Sequence, residues 1–399
     1  MKIEQIETVR HAEFPNLLFV LVHSEGLVGL GETFYAAEAV EAYIHSMAAP
    51  LLLGQDATRI NALSRSLEGY VGYAGSGIET RARSAVDIAL WDLAGQRAGL
   101  PLHDLMGGRT RDSIRVYNTC AGSQYVRRDG QATQNYGRGV QGKWEDLDRF
   151  LTDAGGLAEE LLSEGITGMK IWPFDVYAEM SQGASITHDQ MRTGLDPIRR
   201  IREAVGDQMD VMIELHALWT VSAASSIVRA LEPYAPHWVE DPVRADIPQG
   251  LAQLRGVAAG IGTMIAAGET VAGLVGYLPL IADKAIDVAT VDLVWCGGIT
   301  HALRIAALAE SHGLAIAPHD CTGPVALTAA THLSMCAPNA VMQETVRASL
   351  RTWYRDFVTD LPPIKDGQIS PPAGPGLGTA LQPDIRSRAG VSTRISIRV

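Results

Sequence analysis

From about Ser113 onward the chain alternates short apolar runs with amphipathic helical stretches, and few architectures accommodate that alternation. The runs read as strands are Ser113–Tyr117, Gly168–Trp172, Asp210–His216, Trp238–Glu240, Met264–Ala267, Val288–Asp292, Ala315–Pro318 and Val341–Glu344. Between most of them lies a helical pattern such as Gly194–Val205, Ala223–Leu231 or Thr300–His312. Strand, helix, strand in repetition requires parallel strands joined by crossovers, and eight such strands imply a closed α/β barrel of the TIM type. The section before it, 1–112, reads as a smaller α+β unit. It holds a β-meander through Ile3–Val9 and Leu17–His23 with turns at Gly26 to Gly31, helical spacing over Ala36–Leu53 and Asp56–Tyr70, and a strong helix over Ile78–Ala98 that stops at Gly99 and Pro101. The barrel is assigned to 113–350. The remainder, 351–399, with Pro362-Pro363 and Pro371-Pro372, reads as an irregular tail that returns to the first section. One stretch breaks the rhythm: 123–143 is polar and carries Tyr125, Arg127, Arg128, Tyr136 and Arg138, as either a functional lid at the end of the first barrel strand or plain disorder.

A polar residue closes most of these runs. Lys170, Glu214, Glu240, Glu269, Asp292, His319 and Glu344 form a series in which, from Glu214 on, neighbours are 23 to 29 residues apart. That is the length of one strand plus one helix, so the series should ring the C-terminal mouth where barrel enzymes keep their sites. Any one of these charges could simply mark where a strand meets water; a whole series at one-unit spacing is harder to obtain that way. Glu214, Glu240 and Glu269 stand on successive strands, and three converging carboxylates repel one another unless a cation joins them. Oxygen-only ligands fit Mg²⁺ better than zinc. Ion pairing with Arg or Lys is the alternative, but the segments 213–216, 238–242 and 266–270 contain no cation apart from His216. Alternation along a strand would put His216 on the same face as Glu214, beside the metal. Asp292 and His319 end adjacent strands, where the carboxylate can hold the imidazole's tautomer and raise its basicity, as a general base requires.

Composition narrows the partners. Lys and Arg number 33 against 45 Asp and Glu, a formal charge of −12, which disfavours nucleic acid or an anionic membrane as partner and leaves a small molecule. Four scattered cysteines fit a reduced, cytoplasmic protein better than a disulfide framework. The start, Met1-Lys2-Ile3-Glu4-Gln5, is charged where a signal peptide is apolar, and no run reaches about 18 apolar residues.

Several motifs together resemble the enolase superfamily, in particular its mandelate racemase-like branch. They are Ala85-Val86-Asp87-Ile88-Ala89-Leu90-Trp91-Asp92-Leu93-Ala94-Gly95 with Leu105-Met106-Gly107-Gly108, then Val239-Glu240-Asp241-Pro242, Ala267-Gly268-Glu269, Cys296-Gly297-Gly298-Ile299, Ala317-Pro318-His319, Gln343-Glu344 and Pro375-Gly376-Leu377-Gly378. The resemblance implies an N-terminal α+β capping domain closed by the C-terminal tail and a modified (β/α)₇β barrel. It also implies Mg²⁺ on Glu214, Glu240 and Glu269, an Asp292–His319 base dyad, and Glu344 hydrogen-bonding the substrate carboxylate. The shared chemistry is removal of a proton α to a carboxylate.

Racemases of the branch carry Lys-x-Lys on the second barrel strand; this chain has Lys170-Ile171-Trp172, and an indole accepts no proton. Glu214-Leu215-His216 resembles the acid-x-His of sugar-acid dehydratases such as galactonate and mannonate dehydratase, in which the His protonates the departing 3-hydroxyl, although those enzymes usually have Asp where this chain has Glu214. The resemblance therefore implies a lyase: a Mg²⁺-dependent sugar-acid dehydratase yielding a 2-keto-3-deoxy acid. His319 would act as base, His216 as acid, and Lys170 and Glu344 would steady the charge that develops. Epimerisation, racemisation or lactone cycloisomerisation at the same site is the alternative, and a non-catalytic metal and sugar-acid binding protein the remote one. Trp172 either lines the substrate pocket or fills a core layer. Family members are commonly oligomeric, so a homo-oligomer is expected.

Overall fold

A computed structural model describes residues 1–68, 75, 77–125, 139 and 142–398. The N-terminal meander consists of β1 (Gln5–His11), β2 (Leu17–Ser24) and β3 (Leu27–Phe34), all antiparallel. The β2–β3 hairpin turns on two residues, Glu25 and Gly26, both at positive φ, the geometry that matches the twist of the flanking strands. Leu18, Val20 and Val22 of β2 join one core with the helix Ile78–Ala98, while Leu17, Phe19 and Leu21 join the other core with the barrel, so period-2 alternation explains why the strand is apolar from Leu17 to Val22. β3 lies so close to that helix that a Cβ at Gly31 would sit 1.9 Å from the Ala85 carbonyl oxygen; only glycine fits there.

Eight parallel strands follow: β4 (Ile114–Thr119), β5 (Gly168–Ile171), β6 (Asp210–Glu214), β7 (Trp238–Glu240), β8 (Met264–Ala267), β9 (Val288–Ala289), β10 (Ala315–Ile316) and β11 (Gln343–Thr345). Each pairs with its sequence neighbour from β4 to β10, β11 pairs with β4, and the Ile316–Ala340 bridge closes the ring. A hairpin of β12 (Ile364–Lys365) and β13 (Gln368–Ile369) adds antiparallel to β4, and β14 (Val391–Ile397) returns to pair with β1 over its full length. The ring is filled by Tyr117, Met212, Trp238, Ala266, Val288, Ala317 and Met342. Six of these stand two residues before a polar residue, namely Thr119, Glu214, Glu240, Thr290, His319 and Glu344, so alternation stacks a polar layer on an apolar one.

Some elements are shorter than the sequence pattern implies. β9 stops at Ala289 and β10 at Ile316, not at Asp292 and Pro318. Pro318 has no N–H for a ladder, and the Asp292 carboxylate takes the Val294 N–H at 2.7 Å, starting a turn. The helical stretch over 36–53 runs as Ala37–Tyr43, a π-turn Ile44–Ala48 and Ala49–Leu52. The next helix starts at Ile60 because Asp56 accepts from the Thr58 N–H and holds a turn. Most of 123–143, including Arg127, Arg128, Tyr136 and Arg138, lies outside the described residues.

Candidate metal and acid–base site

At the mouth of the ring, Glu214 and Glu240 end β6 and β7. Glu269 follows β8 after Gly268, whose φ of 125° bends the chain inward. These three carboxylates each offer an oxygen within 4.8 Å of the others. Glu214 and Glu240 are buried, whereas Glu269 keeps 15% of its side chain exposed. The cation missing from their own segments comes from β5, a contact that the pattern on those segments alone does not reveal. Lys170 Nζ stands 2.7 Å from Glu240, 2.9 Å from Glu344 and 3.3 Å from Glu214. Burial opposes the lysine's charge, but Glu240 and Glu344 outweigh it and hold its pKa well above the usual value. One ammonium among four carboxylates still leaves negative charge in excess, and burial raises Glu240 to about 7 despite Lys170. Glu214 Oε2 accepts no hydrogen bond. An oxygen-only set with surplus charge, one of whose oxygens takes no hydrogen bond, fits a hard divalent cation.

His319 follows β10. Asp292 Oδ2 accepts from its Nδ1 at 2.7 Å, which leaves Nε2 facing Glu269 at 3.2 Å and Glu344 at 4.0 Å. Burial would lower its pKa, yet Glu269, Glu344 and Asp292 carry it well above the usual imidazole value. Trp295 stacks on the imidazole with ring centres 5.4 Å apart and planes at 29°. Glu344 accepts from Thr119 Oγ1 and from the Asp320 N–H at 3.0 Å, and is ion-paired with Lys170. Its pKa is lowered: burial works against this, and Lys170 and His319 prevail.

His216 is not on a strand. β6 ends at Glu214, and His216 and Ala217 adopt left-handed conformations with φ of 47° and 57°, so strand alternation does not place this side chain. A turn does so instead: the His216 N–H donates to Glu214 Oε1 at 2.7 Å, and Nδ1 meets Asp175 Oδ2 at 2.6 Å. Burial opposes its charge, Asp175 and Glu214 favour it, and the balance raises its pKa to about 10. In the eight-stranded ring β6 and β10 are four strands apart, so the two Asp–His pairs face each other across the carboxylates.

β5 ends at Ile171, so Trp172 too is beyond strand alternation. Its ring, 2% exposed, packs against Phe150, Tyr125 and the His216 imidazole at centroid distances of 5.4, 5.8 and 5.5 Å. Trp172→Ala should therefore cost about 3–5 kcal/mol in a denaturant melt, as deletion of a large core aromatic does. An unchanged melting midpoint would contradict this placement. Sequence reasoning missed Asp175, whose only signal was its place just past β5, and Asp241. The latter adjoins Glu240 at φ 37°; burial and the nearby Glu269 and Glu214 push its pKa well up. Thr119, at the end of β4, was also missed.

Two family models match the chain: "Mandelate racemase / muconate lactonizing enzyme, N-terminal domain" over residues 5–107 and "Enolase C-terminal domain-like" over 153–385. The chain belongs to the mandelate racemase/muconate lactonizing enzyme family of the enolase superfamily. It is 30% identical to a D-galactonate dehydratase of Xanthomonas oryzae pv. oryzae, over 98% of this chain and 94% of that one. It is 29% identical to a D-gluconate dehydratase of Thermoproteus tenax, over 95% of this chain and 70% of that one. Among solved structures, an enolase of the mandelate racemase subgroup from Agrobacterium tumefaciens superposes with a TM-score of 0.88 at 44% identity, covering 100% of this chain and 99% of its own. The fold is accordingly the family's modified (β/α)₇β barrel with an N-terminal α+β cap. No helix among the described residues is long and apolar enough to cross a membrane.

Proposed function

We propose that this family member is a sugar-acid dehydratase, a hydro-lyase that removes water across C2 and C3 of a sugar acid to give a 2-keto-3-deoxy acid. The observation that carries it is the pair of opposed imidazoles, each fixed by a buried aspartate, with the carboxylate cluster between them. A divalent cation, Mg²⁺ by the chemistry of the donors, would be held by Glu214, Glu240 and Glu269; when bound it supplies positive charge that draws in the substrate carboxylate, spreads the negative charge developing there and offsets the carboxylates that keep His319 protonated.

With Nδ1 committed to Asp292, His319 Nε2 is the atom that takes the C2 proton. Lys170 and Glu344, an ion pair at 2.9 Å, hold the carboxylate end as charge grows. From the other side His216 gives its Nε2 proton to the 3-hydroxyl as the C3–O bond breaks, and water leaves. The enol that remains tautomerises to the keto acid. An indole at 172, where the racemases of the branch carry the second lysine, favours elimination over two-base epimerisation. Aldonic, uronic and aldaric acids should be screened with the Mg²⁺-loaded protein for keto-acid release. At least one should react, and a panel that yields C2 exchange or epimers but no keto acid would replace this reading with epimerisation.

A further inference from the structure

The capping domain places a cation over the base side of the mouth that the chemistry above does not use. Arg81, in the first turn of the helix Ile78–Ala98, puts its guanidinium carbon 4.8 Å from the centre of the Trp295 ring and 5.5 Å from that of Tyr35. Trp295 is the indole stacked on His319. The two stacking distances, 4.8 and 5.4 Å, keep the guanidinium within about 10 Å of the imidazole. Phe34 ties the arrangement together, its carbonyl accepting from Arg81 Nη1 at 3.3 Å and from Trp295 Nε1 at 3.1 Å. The next two residues, Tyr35 and Ala36, are held at φ 80° and 53°, conformations that non-glycine residues adopt only at a cost.

Aromatic faces attract the guanidinium's charge but leave its in-plane N–H donors unused. Among the described residues Nη1 is the one donor of the five with an acceptor, and Arg81 has no carboxylate partner there within ion-pair distance. It is neither fully buried nor fully exposed. The acids around the base already have partners: Asp292 is committed to His319 and the Val294 N–H, and Glu344 to Lys170 and Thr119. The acceptor that matches a planar fork of free donors is a carboxylate, bound through two N–H groups. With C2 at His319 Nε2, the rest of a five- or six-carbon chain and its far carboxylate can span the distance from the imidazole to the guanidinium.

We propose that Arg81, backed by Trp295 and Tyr35, is a second carboxylate subsite, and that the substrate is a dicarboxylic sugar acid, an aldarate, and not a monocarboxylic aldonate. The inference rests on the sugar-acid reading of the site. Matched pairs of equal stereochemistry, gluconate with glucarate, galactonate with galactarate and mannonate with mannarate, should be compared on the Mg²⁺-loaded protein by keto-acid release and by calorimetric binding. The better pair should favour the aldarate in kcat/KM. Arg81→Gln should lower kcat/KM for the aldarate about 10²-fold more than for its aldonate, through KM more than kcat, with Arg81→Lys partly restoring it. Preference for aldonates, or equal loss for both members of a pair, would overturn the subsite while leaving dehydration standing. If no acid is dehydrated, binding still decides: tighter aldarate binding that Arg81→Gln selectively weakens supports the subsite without the reaction, and equal affinities reject it.

Discussion

His319→Asn should abolish both exchange of the substrate C2 proton with solvent deuterium and keto-acid release, whereas His216→Asn should retain exchange and lose elimination. Each loss should be about 10²–10⁴-fold, the range for a positioned acid or base. The asymmetry follows from which bond each imidazole faces. His319 Nε2 is the free nitrogen of a ring locked by Asp292 at 2.7 Å, so without it no group at that position can take the C2 proton and every later step stops. His216 acts on the C3 oxygen; without it the proton can still leave and return at C2 while the hydroxyl stays. Asn keeps a polar group of similar size in each place, and metal affinity measured in parallel excludes loss of the carboxylate cluster as the cause. If His216→Asn lost exchange and elimination equally with its metal retained, His216 would be a second base or a positioning group. Asp175→Asn should move the same ratio in the same direction as His216→Asn, by less, because it weakens the hold on Nδ1 without removing the ring.

The parts of this site that were legible in the sequence are those whose position depends only on strand periodicity. Lys170, Glu214, Glu240 and Glu344 are strand residues, and parallel strands in register bring their C-terminal ends to one mouth whatever the loops do. The same regularity exposed the barrel and the first sheet. What sequence could not supply depends on single backbone angles or on contacts between distant strands. His216 reaches its place through two left-handed residues and a bond to Asp175 on another element, none of which leaves a periodic trace. Lys170 pairs with Glu240, 70 residues away, so the glutamate segments alone looked free of a counter-charge. Arg81 and Trp295 meet only because the capping helix crosses the barrel mouth, a tertiary relation that neither segment announces.

Removing divalent metal with a chelator should abolish turnover without unfolding the protein, and Mg²⁺ should restore it. The fold should survive because Lys170 already stands among Glu214, Glu240 and Glu344 and offsets part of their repulsion. It cannot replace the metal, since one ammonium among Glu214, Glu240, Glu269 and Glu344 leaves the cluster with negative charge in excess. Mg²⁺ should nevertheless stabilise the folded state by mass action, by about 2.7 kcal/mol at a concentration a hundred times its Kd. Protons compete for the same oxygens. Burial lifts Glu240 to about 7, so its carboxylate is charged above that pH and neutral below it, and Mg²⁺ affinity should fall as pH drops from about 8 to 6. Glu240→Gln removes the charge outright. It should weaken Mg²⁺ binding at pH 8 while the barrel stays folded: the one amide oxygen still accepts from Trp238 Nε1, and Lys170, which loses its acceptor on residue 240, keeps Glu344 and Glu214. Calorimetric titration of Mg²⁺ into the wild type and the variant, with melting curves beside it, separates the outcomes. Full turnover in metal-free protein would refute the cation's role, and Mg²⁺ binding unchanged by Glu240→Gln would move the metal away from these three glutamates.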